Sequence, residues 1–237
     1  MQTVIHRSES RGHANHGWLD AKHSFSFANY YHPEKIQFGA LRVLNDDTIA
    51  PGAGFPEHPH DNMEIITIPL SGKIAHKDSM GNSSVISAGE VQVMSAGKGI
   101  FHSEYNYNKD EELKLFQIWL FPNKKNVEPR YDQITLKDLA QENEFYQILS
   151  PDKEDQGVWI HQDAWFYLGD FKSGLMKSYH LNNPKNGIYL MVIDGSITIN
   201  NTELNQRDAI GITETEQLDI ETISNAKLLL MEIPMNL

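Results

Sequence analysis

Short apolar segments recur along the whole chain and are separated by glycine, asparagine and aspartate. They are rich in isoleucine, valine, leucine and aromatic residues, whereas patterns of helical period are scarce. Runs of this kind bounded by turn residues are typical of an all-β sandwich or barrel. The predicted strands include residues 38–45, 64–72, 89–97, 114–122, 188–200 and 227–234.

One segment, residues 135–144, is predicted to form a short helix. It begins with Thr135, and Asp138 follows three residues later, as at the N-terminal cap of a helix. The preceding stretch, residues 121–130, is polar and contains two prolines. We therefore expect a linker and a short helix between two β-rich halves.

Two parts of the chain have the same order of predicted strands. Residues 64–78 and 188–201 both consist of a strand, a turn with glycine and a second strand, and a further strand follows each. Two unrelated hairpins would give this pattern too, but an internal duplication is the simplest explanation of the length, because each half then has a usual domain size. We predict an N-terminal domain at 1–125 and a C-terminal domain, including the linker helix, at 126–237.

The composition narrows the classes of function. The chain has 237 residues, a net charge of -12 at pH 7 and a sequence pI near 5.3. Such an acidic protein is repelled by nucleic-acid phosphates and by anionic membranes, and no basic patch offsets the charge, so direct nucleic-acid binding is not expected. The N-terminus lacks the apolar core of a signal peptide, and no segment has the roughly 20 apolar residues of a membrane span. The prediction is a cytoplasmic protein that does not bind membranes.

The chain contains no cysteine, so any metal site must use nitrogen and oxygen ligands. His58 and His60 stand one residue apart, and Glu64 follows four residues later. Side chains of equal parity share one face of a strand. If residues 58–68 form one extended strand, all three side chains point into the same barrel.

A second group of possible ligands lies in residues 97–106. His102 and Glu104 again share parity, and the two glycines before them allow a sharp turn into the strand. If both segments line one barrel, they supply three neutral imidazoles and a carboxylate, a ligand set that suits a divalent transition metal and leaves room for water or substrate. The alternative is that each histidine is an ordinary one, satisfied by a backbone carbonyl.

The remaining histidines are not expected to form a site. The C-terminal half contains only His161 and His180, without a His-x-His pattern, so we interpret it as a barrel used for packing and for closing the pocket. His76 is interpreted as an exposed strand end. The histidines of the polar N-terminal segment are expected to be solvated or hydrogen-bonded; they are His6, His13, His16, His23 and His32.

These motifs resemble those of the cupins, and most closely those of the pirin family. The first cupin motif is matched by Gly52, His58, His60, Glu64 and Gly72, and the second by Gly89, Gly97, His102 and Asn106. The chain is similar to bacterial pirin-like proteins with quercetin 2,3-dioxygenase activity across nearly its whole length. The matching segments are residues 11–33, 38–47, 51–65, 76–82 and 94–106.

The resemblance implies a bicupin, with two stacked antiparallel β-barrels of the jelly-roll, double-stranded β-helix type. It places one metal in the N-terminal barrel, on His58, His60, His102 and Glu104. The general cupin pattern would instead make Glu64 the carboxylate ligand. We follow the closer family and assign Glu104, and Glu64 then lies beside the site, where it could orient a ligand imidazole.

The resemblance also implies a function: a metal-dependent dioxygenase that cleaves the heterocycle of flavonols such as quercetin and uses dioxygen. The metal would be a divalent transition ion, with iron favoured and zinc, manganese, nickel, cobalt or copper as alternatives. Glu104 or Glu64 is the expected catalytic proton acceptor. A different hypothesis is a regulatory or redox-sensing protein that binds a protein partner without turnover, and a third is an isomerase or another oxidoreductase on the same scaffold.

Overall fold

The computed structural model describes residues 1–236, which form β-strands and one short 3-10 helix at Ser8–Ser10. The strands of the first half are β1 (Gln2–His6), β2 (Gly12–Asn15), β3 (Leu19–His23), β4 (Leu41–Ile49), β5 (Gly54–His60), β6 (Glu64–Ser71), β7 (Lys73–Asp78), β8 (Ser83–Ser87), β9 (Glu90–Ser95), β10 (Ile100–Asn106) and β11 (Leu113–Leu120). They are followed by β12 (Arg130–Thr135), β13 (Phe145–Ser150), β14 (Val158–Trp159), β15 (Trp165–Phe171), β16 (Met176–His180), β17 (Asn186–Asp194), β18 (Ile197–Ile199), β19 (Thr202–Leu204), β20 (Ala209–Thr213), β21 (Gln217–Thr222) and β22 (Ala226–Pro234).

The strands form four sheets, a seven-stranded and a four-stranded sheet in each half. In the N-terminal half the orders are β12-β9-β6-β11-β4-β3-β2 and β5-β10-β7-β8. In the C-terminal half they are β1-β20-β17-β22-β15-β13-β14 and β16-β21-β18-β19. All described pairs between named strands are antiparallel except β13 with β14. The prediction of an all-β fold is confirmed, while closure of each half into a stacked barrel stays a prediction.

The predicted helix at 135–144 is wrong, because this segment forms only a single turn. The amide of Ala140 donates to the carbonyl of Leu136 at 3.0 Å, but no further helical turn follows. Asn143 has a φ of 62°, outside the helical region, and Glu142 bridges to Asp170 of β15. A single turn gains too few hydrogen bonds to offset the unfavourable free energy of helix nucleation. Pairing with the neighbouring strand therefore determines the conformation instead. None of the described residues forms a helix that could cross a membrane.

Two strands lie across the predicted domain boundary. β1 pairs with β20 of the C-terminal half along its whole length, and β12 pairs with β9 of the N-terminal half. The predicted division between 1–125 and 126–237 therefore separates both strands from the sheets to which they hydrogen-bond. Each half thus contributes one strand to the seven-stranded sheet of the other half, and these two strands connect the halves.

The two seven-stranded sheets pack against each other through one hydrophobic core. On β6, Ile66 and Ile68 face this core, whereas Ile65 and Thr67 face the interior of the N-terminal half. This is the period-2 alternation of a strand that is buried on both sides. The C-terminal half contributes Tyr189, Met191, Leu229, Met231 and Ile233 to the same core.

The interiors of the two halves differ in chemistry. Apolar side chains fill the C-terminal interior, among them Phe171, Ile188, Leu190, Leu218, Ile220 and Leu230. The N-terminal interior instead contains histidine and carboxylate side chains and an open cavity. The residues able to do chemistry are therefore concentrated in the first half, on a scaffold that the second half supports.

One buried carboxylate organises a loop of the C-terminal half. Glu232, which is fully buried on β22, accepts five hydrogen bonds of 2.6–3.0 Å. The donors are the hydroxyl of Tyr179, the side-chain amides of Asn182 and Asn186, and the backbone amides of Asn182 and Asn183. Because both carboxylate oxygens of Glu232 accept hydrogen bonds from this loop, the network holds the connection between β16 and β17 in place.

We expect Glu232→Ala to lower the free energy of unfolding by about 3 kcal/mol, because it leaves several buried donors without an acceptor. Chemical denaturation monitored by circular dichroism measures the change. Glu216→Ala, at an exposed position of the same half, is the matched control and should leave the free energy of unfolding near the wild-type value. Equal effects of the two substitutions would contradict a structural role for this network.

Candidate metal centre and cavity

Three imidazole rings converge inside the N-terminal half. His58 and His60 lie on β5 and His102 lies on the adjacent β10, where it pairs directly with His58. The Nε2 atoms of His58 and His102 are 3.0 Å apart, and the ring centroids of the three histidines are 4.4–4.9 Å apart. One possible ligand atom from each histidine lies within 4.8 Å of the others. The structure thus brings together all three histidines that the sequence pattern proposed as ligands.

Glu104 lies beside these rings and lines the same cavity. A shift of register between His102 and Glu104 interrupts the pairing of β10 with β5, and both side chains are buried on the inner side. The Glu104 carboxylate accepts hydrogen bonds from Gln117 at 3.0 Å and from Thr67 at 3.4 Å. These two side chains hold the carboxylate in a fixed orientation toward the interior.

Glu64 lies elsewhere, because residues 58–68 do not form one extended strand. β5 ends at His60 and β6 begins at Glu64, and Asn62 between them has a φ of 45°. The expectation that parity places Glu64 with the two histidines is therefore wrong. Glu64 accepts a hydrogen bond from Ser95 at 2.7 Å and is not among the residues that line the cavity.

The surroundings of Glu64 connect it to the second half. Burial raises the pKa of Glu64 to about 7, and hydrogen bonds from Ser95 and the backbone of His161, together with the charge of Arg130, partly offset this effect. The described residues show no hydrogen bond from Glu64 to the clustered imidazoles. Glu64 does not orient a ligand imidazole in this arrangement.

His76 is a member of the site that sequence reasoning missed. It was expected at an exposed strand end, but it is buried, and its ring centroid lies 5.4 Å from that of His102. Its Nε2 atom is 3.1 Å from the carboxylate of Asp78, and His76, His102 and Glu104 form a second group with ligand atoms within 4.8 Å. The available clue was parity, because His76 and Asp78 share one face of a strand that pairs with β10.

Two histidines of the cluster, His60 and His102, are neutral at physiological pH. Burial, together with the neighbouring imidazoles, lowers the pKa of His102 to about 2 and that of His60 to about 4. The Nδ1 atom of His58 is 2.8 Å from the carbonyl oxygen of Pro56, so Nδ1 carries the proton and Nε2 presents its lone pair. Fixing the tautomer through the outer nitrogen is typical of metal-binding histidines.

The donor set fits a divalent transition metal. Two Nε2 atoms at 3.0 Å can share one proton or one cation, and neutral imidazoles are the form that binds metals. Burial raises the pKa of the Glu104 carboxyl to about 7, which a nearby cation would lower again. Three imidazoles with one carboxylate also leave coordination positions for water or substrate.

The cluster opens into a cavity of about 310 Å³ with aromatic walls. Phe27, Phe55 and Trp119 line it, and the Trp119 ring meets His60 edge to face at 4.9 Å and Phe27 at 5.4 Å. Concave, mostly apolar spaces with a few convergent polar groups are typical of small-molecule sites. The size and the walls suit a planar aromatic molecule.

The two histidines of the C-terminal half lie apart from each other. His180 is exposed on β16 and pairs with Gln217, while His161 lies against the Trp159 ring. The strand pair β16–β21, which corresponds to β5–β10, buries Tyr179 and Leu218 toward the interior. Apolar packing occupies the place that the imidazoles take in the first half.

Comparison with known proteins agrees with this arrangement. Residues 4–120 match the family model for pirin, and residues 147–233 match the model for the quercetinase C-terminal cupin domain. The chain is 42% identical to quercetin 2,3-dioxygenase of Escherichia coli strain K12 over 97% of its length and 98% of the relative. The chain belongs to the pirin family. A pirin-like protein of Caulobacter vibrioides is 41% identical over 93% of this chain and 95% of its own.

Solved structures of a bacterial pirin show the same fold. YhhW from Escherichia coli superposes with a TM-score of 0.93 at 40% identity and covers 98% of both chains. A second structure of YhhW, in complex with nickel(II), matches with a TM-score of 0.93 at 39% identity, covering 98% of this chain and 99% of the other. This pirin therefore has the architecture of the bacterial family members.

Proposed function

We propose that this pirin is a metal-dependent dioxygenase of the quercetinase type, which opens the heterocyclic ring of flavonols with dioxygen and releases carbon monoxide. The observation that carries the proposal is the group of three imidazoles with Glu104 at an aromatic-walled cavity. The name of the relative from Escherichia coli, quercetin 2,3-dioxygenase, supports the same reaction class.

In this proposal His58, His60, His102 and Glu104 hold one divalent transition metal. Iron is the favoured ion, and zinc, manganese, nickel, cobalt and copper suit the same donors. The nickel(II) complex of YhhW supports a single divalent ion in a closely similar fold. When bound, such an ion polarises a substrate oxygen and makes the hydroxyl that carries it more acidic.

The chain itself supplies binding, orientation and a proton acceptor. Phe27, Phe55 and Trp119 hold a planar ring system and exclude water from one side of it. Glu104 accepts the proton of the flavonol 3-hydroxyl, because its carboxylate lines the cavity in which the substrate binds. Gln117 and Thr67 orient the carboxylate through their hydrogen bonds.

A regulatory or redox-sensing role without turnover is the second candidate, and His76 is the observation that favours it. Its imidazole lies with His102 and Glu104 in a second group of possible ligands. If His76 also bound the metal, protein ligands would occupy more of the coordination shell and leave less room for a substrate. The half-exposed aromatic rings of Phe101, on β10, and of Tyr107, directly after it, could then contact a protein partner.

Anaerobic addition of quercetin should shift the absorption spectrum of the flavonol only when the protein is loaded with metal. Air should then bleach the band with uptake of oxygen, which a spectrometer and an oxygen electrode measure together. Protein treated with a chelator is the control and should give neither change. Absence of bleaching with iron, manganese, nickel, cobalt and copper would contradict the dioxygenase proposal and favour the regulatory one.

A further inference from the structure

Asp47 is a buried acidic group in the candidate cavity without a structural partner. It lies on β4, is 4% exposed and lines the cavity. Its Oδ1 atom is buried and has no hydrogen-bond partner among the described residues. Burying a polar atom without a partner is destabilising, so a ligand that completes its hydrogen bonding is a physical reason for its presence.

Other buried carboxylates of this chain accept hydrogen bonds from protein groups, as expected for structural residues. Glu232 receives five protein hydrogen bonds, Glu64 receives one from Ser95, and Glu104 is held by Gln117. Within residues 1–236, Asp47 Oδ1 is the single buried carboxylate oxygen that lacks such a partner. Asp47 therefore lacks the protein hydrogen bonds that the other buried carboxylates, such as Glu232 and Glu104, accept.

The surroundings of Asp47 favour a neutral carboxyl group. Burial, together with the nearby carboxylates of Asp46, Glu104 and Asp20, raises its pKa to about 8. No cation contributes to its pKa in the opposite direction. A neutral carboxyl group can both donate and accept a hydrogen bond, which is also the capacity of a phenolic hydroxyl group.

Asp47 lines the same cavity as Glu104 but belongs to neither group of possible metal ligands. Asn45 on β4 pairs with Gln117, the residue that donates to Glu104. Asp47 is two residues further along β4 and therefore faces the same interior outside this hydrogen-bonded group. A planar molecule between the aromatic walls could reach the metal centre and Asp47 with different substituents.

We propose that Asp47 binds a hydroxyl group of the substrate other than the one at the metal centre, and so selects aromatic substrates with several hydroxyl groups. This inference rests on the proposed dioxygenase function and adds a residue that determines specificity. In this arrangement the substrate hydroxyl supplies the missing partner of Oδ1. Substrates without that hydroxyl leave the buried carboxyl group unsatisfied and bind less tightly.

Anaerobic titration of the metal-loaded protein with two flavonols tests the inference. The pair is quercetin and 3-hydroxyflavone, which has the metal-binding oxygens but lacks the other hydroxyl groups. We expect the wild type to prefer quercetin by about tenfold or more, as for a hydrogen bond to a buried acid. Asp47→Leu should remove this preference by weakening quercetin binding, with little change for 3-hydroxyflavone.

Folding and stability provide the control. Leucine fills the site without an unpartnered polar atom, so the melting temperature of Asp47→Leu should equal or exceed that of the wild type. Asp47→Asn keeps hydrogen-bonding atoms and should keep part of the preference for quercetin. If Asp47→Leu keeps the full preference, or if its melting temperature falls sharply, Asp47 has no role in selection and is a structural residue.

The outcomes separate this inference from the proposed function. Wild-type protein that binds neither flavonol would overturn both. Wild-type protein that binds and oxidises quercetin, with a preference that Asp47→Leu does not change, would overturn the role of Asp47 alone.

Discussion

Replacing His58 and His60 together with alanine should abolish metal binding while the protein stays folded. His58 and His60 supply two of the four proposed ligands. Replacing His58 also removes the Nε2 atom that lies 3.0 Å from Nε2 of His102. Loss of residues that only hydrogen-bond to metal ligands lowers metal affinity about 10- to 100-fold. Loss of two direct ligands should therefore lower it by more than about a hundredfold. Elemental analysis of the purified protein measures the metal content.

Folding should survive because both histidines are only half-buried and lie on β5, an edge strand of its sheet. His180→Ala is the matched control, since His180 lies on β16, the corresponding edge strand of the C-terminal half. It should leave the metal content unchanged. A double variant of His58 and His60 that keeps the wild-type metal content would show that the metal binds elsewhere.

Glu104→Gln should lower turnover of quercetin by about 100- to 10,000-fold, the usual range for loss of a general acid or base. The substitution keeps the shape of the side chain and its contacts with Gln117 and Thr67 in part, but it removes the proton acceptor and a charged ligand atom. Turnover at saturating metal, together with metal content, separates the two effects. Both should fall, and the loss of turnover should remain when metal is added in excess.

Glu64→Gln is the matched comparison, because both glutamates are buried and burial raises the pKa of each to about 7. Glu64 hydrogen-bonds to Ser95 outside the cavity, and glutamine can replace it there. Turnover and metal content should therefore stay close to the wild-type values. The reverse result, with loss in Glu64→Gln and retention in Glu104→Gln, would show that Glu64 is the carboxylate of the site.

Apolar runs between turn residues located strands such as β6 and β22, whereas the capping pattern at residues 135–144 predicted a helix that the structure lacks. The predicted strand at 64–72 corresponds to β6, and that at 227–234 to β22, because buried strands carry continuous apolar runs between turn residues. The predicted helix at 135–144 is absent, since its cap residue Thr135 ends β12 instead. Local capping preference was outweighed by pairing with β9, which gains hydrogen bonds along the whole of β12.

Residue identity and order along the chain were sufficient to find His58, His60 and His102, and to exclude cysteine from the chemistry. They were not sufficient to choose between Glu64 and Glu104, because parity is informative only within one extended strand. The break at Asn62 turns Glu64 toward Ser95, and it is a backbone feature of positive φ that no count of residues gives.

The sequence by itself determined the strand-rich class of this protein, because that class depends on apolar runs between turn residues. Its motifs also pointed to the family, through resemblance, and to the histidines of the candidate site. Only the tertiary structure decided that His76 is buried beside His102, that Glu104 faces the cavity, and that Asp47 lies there without a partner. These features depend on the pairing of β7 with β10 and on the meeting of two sheets. Contacts between residues distant in the chain arise from such packing, and a linear pattern does not encode which faces will meet.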